Sequence, residues 1–163
     1  MDLESDWPEG YQLVRGSSLD RARLLTTMGN AYLELGATQL GHLTRTVELY
    51  LAGPSMLWWL QTTGTARVGF MAENVHSIGC LWLGPSVNQL TGALQAYLYL
   101  VYVVPSYRRQ GLGRKLMHYA QSWAKEEGYD QLSLQVFLKN LPALKLYECL
   151  GFQPSATLLT LDL

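Results

Sequence analysis

Charged residues are scarce in this sequence, and so are cysteines and long apolar runs. Only 15% of the 163 residues are charged, against roughly 25% in an average globular chain. The net charge of −1 gives no bulk electrostatic attraction to nucleic acid or to an anionic membrane surface. We therefore expect no nucleic-acid partner and no membrane partner.

The two cysteines, Cys80 and Cys149, lie far apart, in a predicted strand and a predicted helix. Neither has a second cysteine or histidine at metal-ligand spacing, so we interpret both as reduced core thiols and predict no metal site. No run reaches the eighteen or so apolar residues that span a bilayer, and the acidic start, MDLESDWPEG, has no apolar signal region. These absences predict a cytoplasmic location.

Hydrophobic and aromatic residues are plentiful, at 48% and 11% of the chain. A chain of this length can bury one core without disulfides or metals, so we predict a single domain over residues 1–163, with 1–10 as a loose leader. Buried positions are the simplest reading of the aromatic residues, while a homodimer interface or an apolar substrate groove stays open. The residues concerned are Trp58, Trp59, Trp82, Tyr97, Tyr99 and Tyr102.

The pattern of apolar residues and turn residues predicts an alternation of strands and helices. A capping box formed by Ser17 and Asp20 precedes the first helix, and Thr38 is the expected cap of the second. The predicted strands lie at 11–15, 56–61, 66–73, 75–83, from 97, 131–138 and 155–163, and the helices at 20–36, 38–52, 110–128 and 140–150. This order predicts an α/β sandwich with a mixed central sheet and helices on both faces.

The stretch YLYLVYVVPSYRRQGLGRKLMHYAQ, at 97–121, combines an apolar strand, a basic glycine turn and an amphipathic helix. Gly111 and Gly113 lack the Cβ atoms that would hold a ligand away from the backbone, and both permit positive φ. The first amides of the helix have no intrahelical acceptor and favour an anion. Basic side chains surround the turn: Arg108, Arg109, Arg114 and Lys115. The stretch predicts a phosphate site, although such a turn can also serve only to end a strand.

Two common phosphate motifs do not fit, because the Walker spacing is absent and Leu116 stands where the dinucleotide fingerprint needs a third glycine. Instead, Arg108-x-x-Gly111-x-Gly113 after a strand resembles the Gln/Arg-x-x-Gly-x-Gly/Ala signature of the GNAT family of N-acetyltransferases. Downstream, residues 140–152 fill the N-x-x-A-x-x-L-Y-x-x-x-G-F ending of the same family. The resemblance covers residues from about 98 to 152, a third of the chain.

The resemblance implies a GNAT-like three-layer sandwich and an enzyme that moves an acetyl group from acetyl-CoA to a primary amine of a small molecule or a peptide. A bulge near Val103 and Val104 would part the fourth strand from the fifth, so that pantetheine lies in the gap and one strand amide polarises the thioester carbonyl. Asn140 would hydrogen-bond the pantetheine arm. The turn would hold the pyrophosphate through Arg108, Arg109, Gln110, Gly111, Leu112, Gly113 and Arg114.

The resemblance also implies that Tyr147 is the general acid, a phenol that protonates the departing thiolate. Two structural readings stay open beside these roles. Tyr147 shares a helix face with Ala143 and Leu150, so it can equally be part of the core. Asn140 can serve as the cap of its helix, with or without a role in cofactor binding.

A general base is missing from the motif, because residues 97–104 contain no acidic side chain. Glu73 and His76 are the nearest candidates along the chain, and both can equally be solvated turn residues. The missing base keeps a second hypothesis open, a catalytically inactive sensor that binds acetyl-CoA or CoA. Since eleven residues follow Phe152, either the acceptor groove is open at that end or a partner chain completes it.

Overall fold

The computed structural model describes residues 7–63 and 77–161. Strands and α-helices are numbered here in chain order, and two single 3-10 turns, Ser18–Asp20 and Pro105–Tyr107, precede α1 and the glycine turn. The elements are β1 Tyr11–Arg15, α1 Arg21–Glu34, α2 Gly41–Leu51, β2 Met56–Thr62, β3 Ser77–Val87, β4 Leu94–Val103, α3 Leu112–Glu126, β5 Leu132–Leu134 and α4 Leu141–Cys149.

The five strands form one sheet in the order β1-β2-β3-β4-β5. The first four strands run antiparallel to their neighbours, whereas β5 runs parallel to β4. A parallel pair needs a crossover, and α3 supplies it by leaving the end of β4 and returning the chain to the start of β5. The predicted mixed sheet is confirmed.

A buried cluster lies on each face of the sheet, which confirms the predicted three layers. On one face, α1 and α2 contribute Leu24, Met28 and Val47, which pack with strand residues such as Trp59 and Trp82. On the other face, α3 and α4 pack with the strands around Trp58 and Leu81; their buried residues include Leu112, Leu116, Ala120, Trp123 and Tyr147. The buried reading of the aromatic residues is confirmed for Trp58, Trp59, Trp82 and Tyr102.

Helix ends follow local chemistry in one case and not in another. Ser17 and Asp20 form the predicted capping box, with the Ser17 amide donating to the Asp20 carboxylate at 2.8 Å. The prediction for α2 was wrong, because this helix begins at Gly41 with Leu40 as its cap residue instead of Thr38. Leu43, in the first turn of α2, is buried, so tertiary packing rather than a side-chain cap sets where this helix starts.

The C-terminal part differs most from the expectation. β5 has three residues instead of eight, and Leu138 is 85% exposed beyond it. Residues 155–161 form no strand, and Leu158, Leu159 and Leu161 are exposed. A strand is stable only when its backbone groups are paired, and no strand of the described sheet pairs with this segment.

Two smaller expectations are corrected by the structure, and a third is not tested by it. Cys149 is exposed and only Cys80 is a core thiol. Trp7, assigned to a loose leader, packs against the cluster on the α3 face. The predicted strand at 66–73 lies outside the described residues. Across the described ranges, no helix is long and apolar enough to cross a bilayer.

Candidate active site at the end of strand β4

A gap opens between β4 and β5 where their pairing stops. The two strands pair from Ala96 with Leu132 to Leu98 with Leu134, whereas β4 continues to Val103. The register of β3 against β4 shifts at the same level, so that Tyr99 is an extra residue in β4. The predicted parting of the strands is therefore present, but its bulge lies at Tyr99 and not near Val103 and Val104. An inserted residue increases local twist, which turns β4 away from its neighbour.

The amide of Val103 points into this gap. Val104 donates its amide to Ile78 of β3 at 2.8 Å, and Gly79 pairs with Val103. Because amides alternate between the two sides of an antiparallel strand, the N–H of Val103 faces away from β3, towards the side where β5 has already ended. Of the two valines in the sequence prediction, Val103 thus has the available amide, while that of Val104 is used within the sheet.

Arg108 holds the end of β4 in place. Its Nε donates to the carbonyl of Val103 at 2.7 Å, and its terminal nitrogen pairs with Glu34 at 2.7 Å. The guanidinium also lies 5.4 Å from the ring centre of Tyr102. The motif predicts this charge at a phosphate, whereas in the structure the guanidinium contacts the Val103 carbonyl and Glu34 of α1.

The glycine turn leads directly into α3. Gly111 has a φ of 80°, the positive value that its lack of a Cβ permits, and it is the cap residue of the helix. The first intrahelical bond runs from Lys115 to the carbonyl of Gly111 at 3.0 Å, which leaves the amides of Leu112, Gly113 and Arg114 without an intrahelical acceptor. We expected a positive φ at Gly113, but it does not have one. Instead, Arg109 has a positive φ of 65°.

The turn is shaped to receive a bulky anion against its backbone. A Cβ on Gly111 would have no atom within 4 Å, and one on Gly113 would approach only the Leu146 side chain, at 3.7 Å. Neither glycine is therefore required by packing within the chain, and both leave the amides open from outside. Gln110 is fixed by the Tyr11 hydroxyl, which donates to its side-chain oxygen at 2.7 Å. A diphosphate fits these features.

Asn140 and Tyr147 lie at the two ends of α4. The side-chain oxygen of Asn140 accepts a hydrogen bond from the Ala143 amide at 3.4 Å, so Asn140 caps the helix and its amide NH₂ remains a donor. Tyr147 is 9% exposed in the cluster that contains Val103, and its ring lies 5.6 Å from that of Phe152. Burial raises the pKa of Tyr147 to about 12, so the phenol keeps its proton at neutral pH.

A cavity of about 390 Å³ lies on the opposite face, beneath α1. Its floor is formed by strand residues, including Trp59 in β2, Gly79 in β3 and Tyr102 near the end of β4. Its wall is the polar face of α1. The lining residues are Arg23, Thr26, Thr27, Asn30, Trp59, Ser77, Gly79, Tyr102 and Val104. Because Val104 borders the cavity and Val103 borders the gap, the two sites meet at the end of β4.

Tyr102 links the cavity to a carboxylate. Its hydroxyl donates to Glu34 at 2.7 Å, and Glu34 in turn pairs with Arg108. Burial, followed by the hydrogen bond to Glu34 and its charge, raises the pKa of Tyr102 to about 12, against a lowering by Arg108. Glu34 and Arg23 are not among the site residues predicted from the sequence. Both lie on a helix with no motif, and only the tertiary fold brings them to β4 and to the cavity.

The two base candidates from the sequence, Glu73 and His76, lie outside the described residues. Within residues 7–63 and 77–161, no cluster of three or more His, Cys, Asp and Glu side chains is arranged to hold a metal ion. The charged groups that the structure does place around the end of β4 are Arg23, Glu34 and Arg108.

Comparison with known proteins identifies relatives over the same region. The profile of the family described as "Acetyltransferase (GNAT) family" matches residues 38–152. A ribosomal-protein-alanine N-acetyltransferase of Escherichia coli is 41% identical over 58 residues, which cover 36% of this chain and 39% of that protein. An aminoglycoside N(6')-acetyltransferase of Serratia marcescens is 33% identical over 66 residues, 40% of this chain and 45% of its own length. The chain therefore matches less than half of the length of these relatives.

Solved structures match over nearly the whole chain. A possible acetyltransferase from Clostridium difficile has a TM-score of 0.70 at 16% identity, covering 95% of this chain and 99% of its own. A ribosomal-protein-alanine N-acetyltransferase from Brucella melitensis has a TM-score of 0.69 at 12% identity, with 95% and 100% coverage. An aminoglycoside N-acetyltransferase in complex with CoA has a TM-score of 0.68 at 13% identity, covering 96% of this chain and 97% of its own. At such identities the likeness shows the fold.

Proposed function

The chain belongs to the GNAT family of acetyltransferases, and on that premise we propose that it is a single-domain enzyme that transfers the acetyl group of acetyl-CoA to a primary amine. The acceptor is a small molecule or a peptide. One observation carries the proposal: the amide of Val103 points into the gap between β4 and β5, next to the uncapped start of α3. A sheet that served only as a scaffold would gain stability by closing this gap.

The donor is held mainly by backbone groups. The amides of the turn and of the first turn of α3, from Arg109 to Arg114, receive the pyrophosphate, assisted by the positive end of the helix dipole. The open edge of β4 beyond Leu98 binds the pantetheine arm as an added strand would, and the side-chain NH₂ of Asn140 supplies a donor from the other side. Arg108 orients the strand end through its bonds to Val103 and Glu34, and its role as a cofactor-binding residue stays a prediction.

Two groups act on the reacting atoms. When bound, acetyl-CoA supplies an activated acyl carbon, whose transfer to nitrogen releases a thiol. The Val103 amide donates a hydrogen bond to the acyl oxygen, where negative charge increases during attack. The Tyr147 hydroxyl, which like any phenol carries its proton at neutral pH, donates that proton to the departing sulfur.

The amine must lose a proton, and Tyr102 with Glu34 provides a route. An alkylamine with a pKa near 10 is mostly protonated at neutral pH. Tyr102 lines the cavity, and its hydroxyl proton already bonds to Glu34. Tyr102 can therefore accept a proton from the amine while passing its own to Glu34, which lies at the surface end of α1. This relay takes the place of the base that the sequence motif lacks.

The decisive experiment combines cofactor binding with turnover. Calorimetric titration with acetyl-CoA should give saturable binding, and release of free thiol should depend on an added amine from a panel of amino acids, peptides and polyamines. Binding without thiol release on any amine would support the inactive sensor instead. Failure to bind acetyl-CoA or CoA at all would remove both hypotheses.

We also propose a cytoplasmic, dimeric protein. The free thiol of Cys149 is exposed, and an exposed thiol stays reduced in the cytoplasm, which supports that location. The exposed leucines at 158, 159 and 161 support a contact with a second copy, because several apolar side chains close together in a surface segment favour association. Light scattering on the full chain, and on a variant with Leu158 and Leu161 changed to serine, tests the dimer: a mass unchanged between them would contradict it.

A further inference from the structure

The cavity beneath α1 has a chemistry that selects among amines. We infer that it binds a small acceptor with a carboxylate beside its amine, a zwitterion of about the size of an amino acid, and that Arg23 recognises the carboxylate. That the ligand is the acceptor rests on the proposed function. The class of ligand is inferred from the cavity alone. Val104 and Tyr102 line the cavity, so a ligand held there lies against the end of β4.

Among the described residues that line the cavity, Arg23 is the charged one. The Cζ atom of its guanidinium lies 4.0 Å from the centre of the Trp59 ring, a cation–π contact that holds the side chain at the cavity floor. Its ion pair with Asp20 is long, at 3.7 Å, and uses one of its two terminal nitrogens. An arginine has five N–H donors in a planar fork, so most of this fork remains available to a carboxylate, which it can bind with two parallel hydrogen bonds.

The remaining polar lining suits the other end of a zwitterion. The hydroxyls of Thr26 and Thr27 donate to helix carbonyls at 3.1 and 2.9 Å, so towards the cavity they offer oxygen lone pairs. Such acceptors bind an ammonium group. The Ser77 hydroxyl is buried and has no hydrogen-bond partner within the described part of the chain. A buried polar group without a partner costs free energy, and a bound ligand would remove that cost.

Charge disfavours a polycation. The cavity of about 390 Å³ lies within the range of pockets that hold small molecules, about 300–1,000 Å³, so an amino acid fits in it. None of the nine lining residues that belong to the described ranges, 7–63 and 77–161, is acidic. An aminoglycoside carries several ammonium groups, which would lie near the Arg23 charge with no acidic side chain among the described lining residues to bind them.

A binding experiment tests this inference independently of turnover. Each of the twenty amino acids, and the carboxamide of each, is titrated into the full chain saturated with CoA, and binding is followed by NMR line broadening of the ligand. We expect at least one amino acid to bind at least tenfold more tightly than its carboxamide, which has the same size and no negative charge. We expect Arg23→Gln to remove that preference and Arg23→Lys to restore part of it.

The matched control is Arg21→Gln, two residues earlier on α1. Arg21 pairs with Glu48 and does not line the cavity, so the preference should survive this substitution. Circular dichroism of each variant verifies that it folds. Equal affinity for acid and carboxamide, tighter binding of an aminoglycoside, no binding of any amino acid, or a preference that persists in Arg23→Gln would overturn the inference. Failure of CoA binding would instead count against the proposed function, and the amino acids would then be titrated alone.

Discussion

The candidate sites on the two faces of the sheet are built from different chemical groups. On the α3 face, the candidate donor site consists of main-chain amides: Val103 in the strand, and the residues from Arg109 to Arg114 in the turn and the first turn of α3. On the α1 face, the cavity is lined by side chains from one helix and three strands. The end of β4 belongs to both, because Val103 borders the gap and Val104 borders the cavity.

This difference separates recognition of the donor, which is common to acetyl-CoA-dependent enzymes, from selection of the acceptor. A diphosphate is the same in every donor molecule, and amides at a helix start recognise it regardless of which side chains they carry. The acceptor differs between enzymes, and side chains such as Arg23 and Thr27 can be exchanged without altering the backbone. The α3 face is therefore expected to respond mainly to changes of backbone, and the α1 face to changes of side-chain chemistry.

The largest effect is expected at the helix start. Gly113→Asp places a carboxylate beside the amides that receive the diphosphate, and the loss of one or two charge-assisted hydrogen bonds, about 3 kcal/mol, weakens acetyl-CoA binding roughly a hundredfold. Calorimetry measures this loss. Gly41→Asp is the control, because Gly41 also begins a helix and has no atom within 4 Å of its Cβ position. Unaltered binding by the Gly113 variant would move the phosphate site elsewhere.

A matched pair of tyrosines, one on each face, gives the next comparison. Tyr147→Phe removes the proton donor for the leaving sulfur, so the turnover rate should fall about a hundredfold at every pH while acetyl-CoA affinity stays the same. Stopped-flow detection of the thiol, together with calorimetry, separates the two quantities. If the phenylalanine enzyme turns over normally, Tyr147 is a packing residue.

Tyr102→Phe should behave differently, with a smaller effect that depends on pH. The relay is needed only while the amine is protonated, so the rate should fall about tenfold at pH 7 and recover as the pH approaches the amine pKa near 10. Since burial and Glu34 raise the pKa of Tyr102 to about 12, the phenol itself stays protonated across this range. A constant deficit from pH 7 to pH 10 would exclude the relay.

The smallest effect concerns stability. Arg108→Gln removes the ion pair with Glu34 and the hydrogen bond to the Val103 carbonyl, in a half-exposed position where such contacts are weakened by solvent. We expect the free energy of unfolding to drop by about 1–2 kcal/mol in urea titration. Glu34→Gln keeps the bond to Val103 and should cost less. Equal losses in both variants would show that the bond to the carbonyl contributes nothing.

The sequence predicts the α3 face well because its information is local. The glycine turn and the residues 140–152 lie in short contiguous motifs, and the amphipathic pattern of α3 places Leu112, Leu116 and Ala120 inside, as observed. Gly111 has the positive φ that its residue type permits. Two local details differ from the expectation. The second positive φ lies at Arg109 instead of Gly113, and the bulge lies at Tyr99 instead of near Val103 and Val104.

The α1 face could not be predicted, because its site exists only after folding. Arg23 lies 36 residues before Trp59 in the chain, and no pattern in either segment indicates that they meet. The same holds for Glu34 and Arg108, which pair across α1 and the turn. At the C-terminal end the opposite error occurred: an apolar alternating pattern at 155–163 predicted a strand, but such a pattern needs a neighbouring edge to pair with, and sequence alone does not show one.

Arg108 connects the two faces of the sheet. Its Nε donates to the carbonyl of Val103, the last residue of β4, and its terminal nitrogen pairs with Glu34, the last residue of α1, which forms the wall of the cavity. A ligand that binds beneath α1 and displaces the C-terminal end of this helix would also displace Arg108. Through its bond to the Val103 carbonyl, Arg108 would then shift the end of β4, where the acyl oxygen would lie. Binding at either site should therefore make the other site more rigid. We expect acetyl-CoA and the acceptor each to increase the affinity of the other through Arg108.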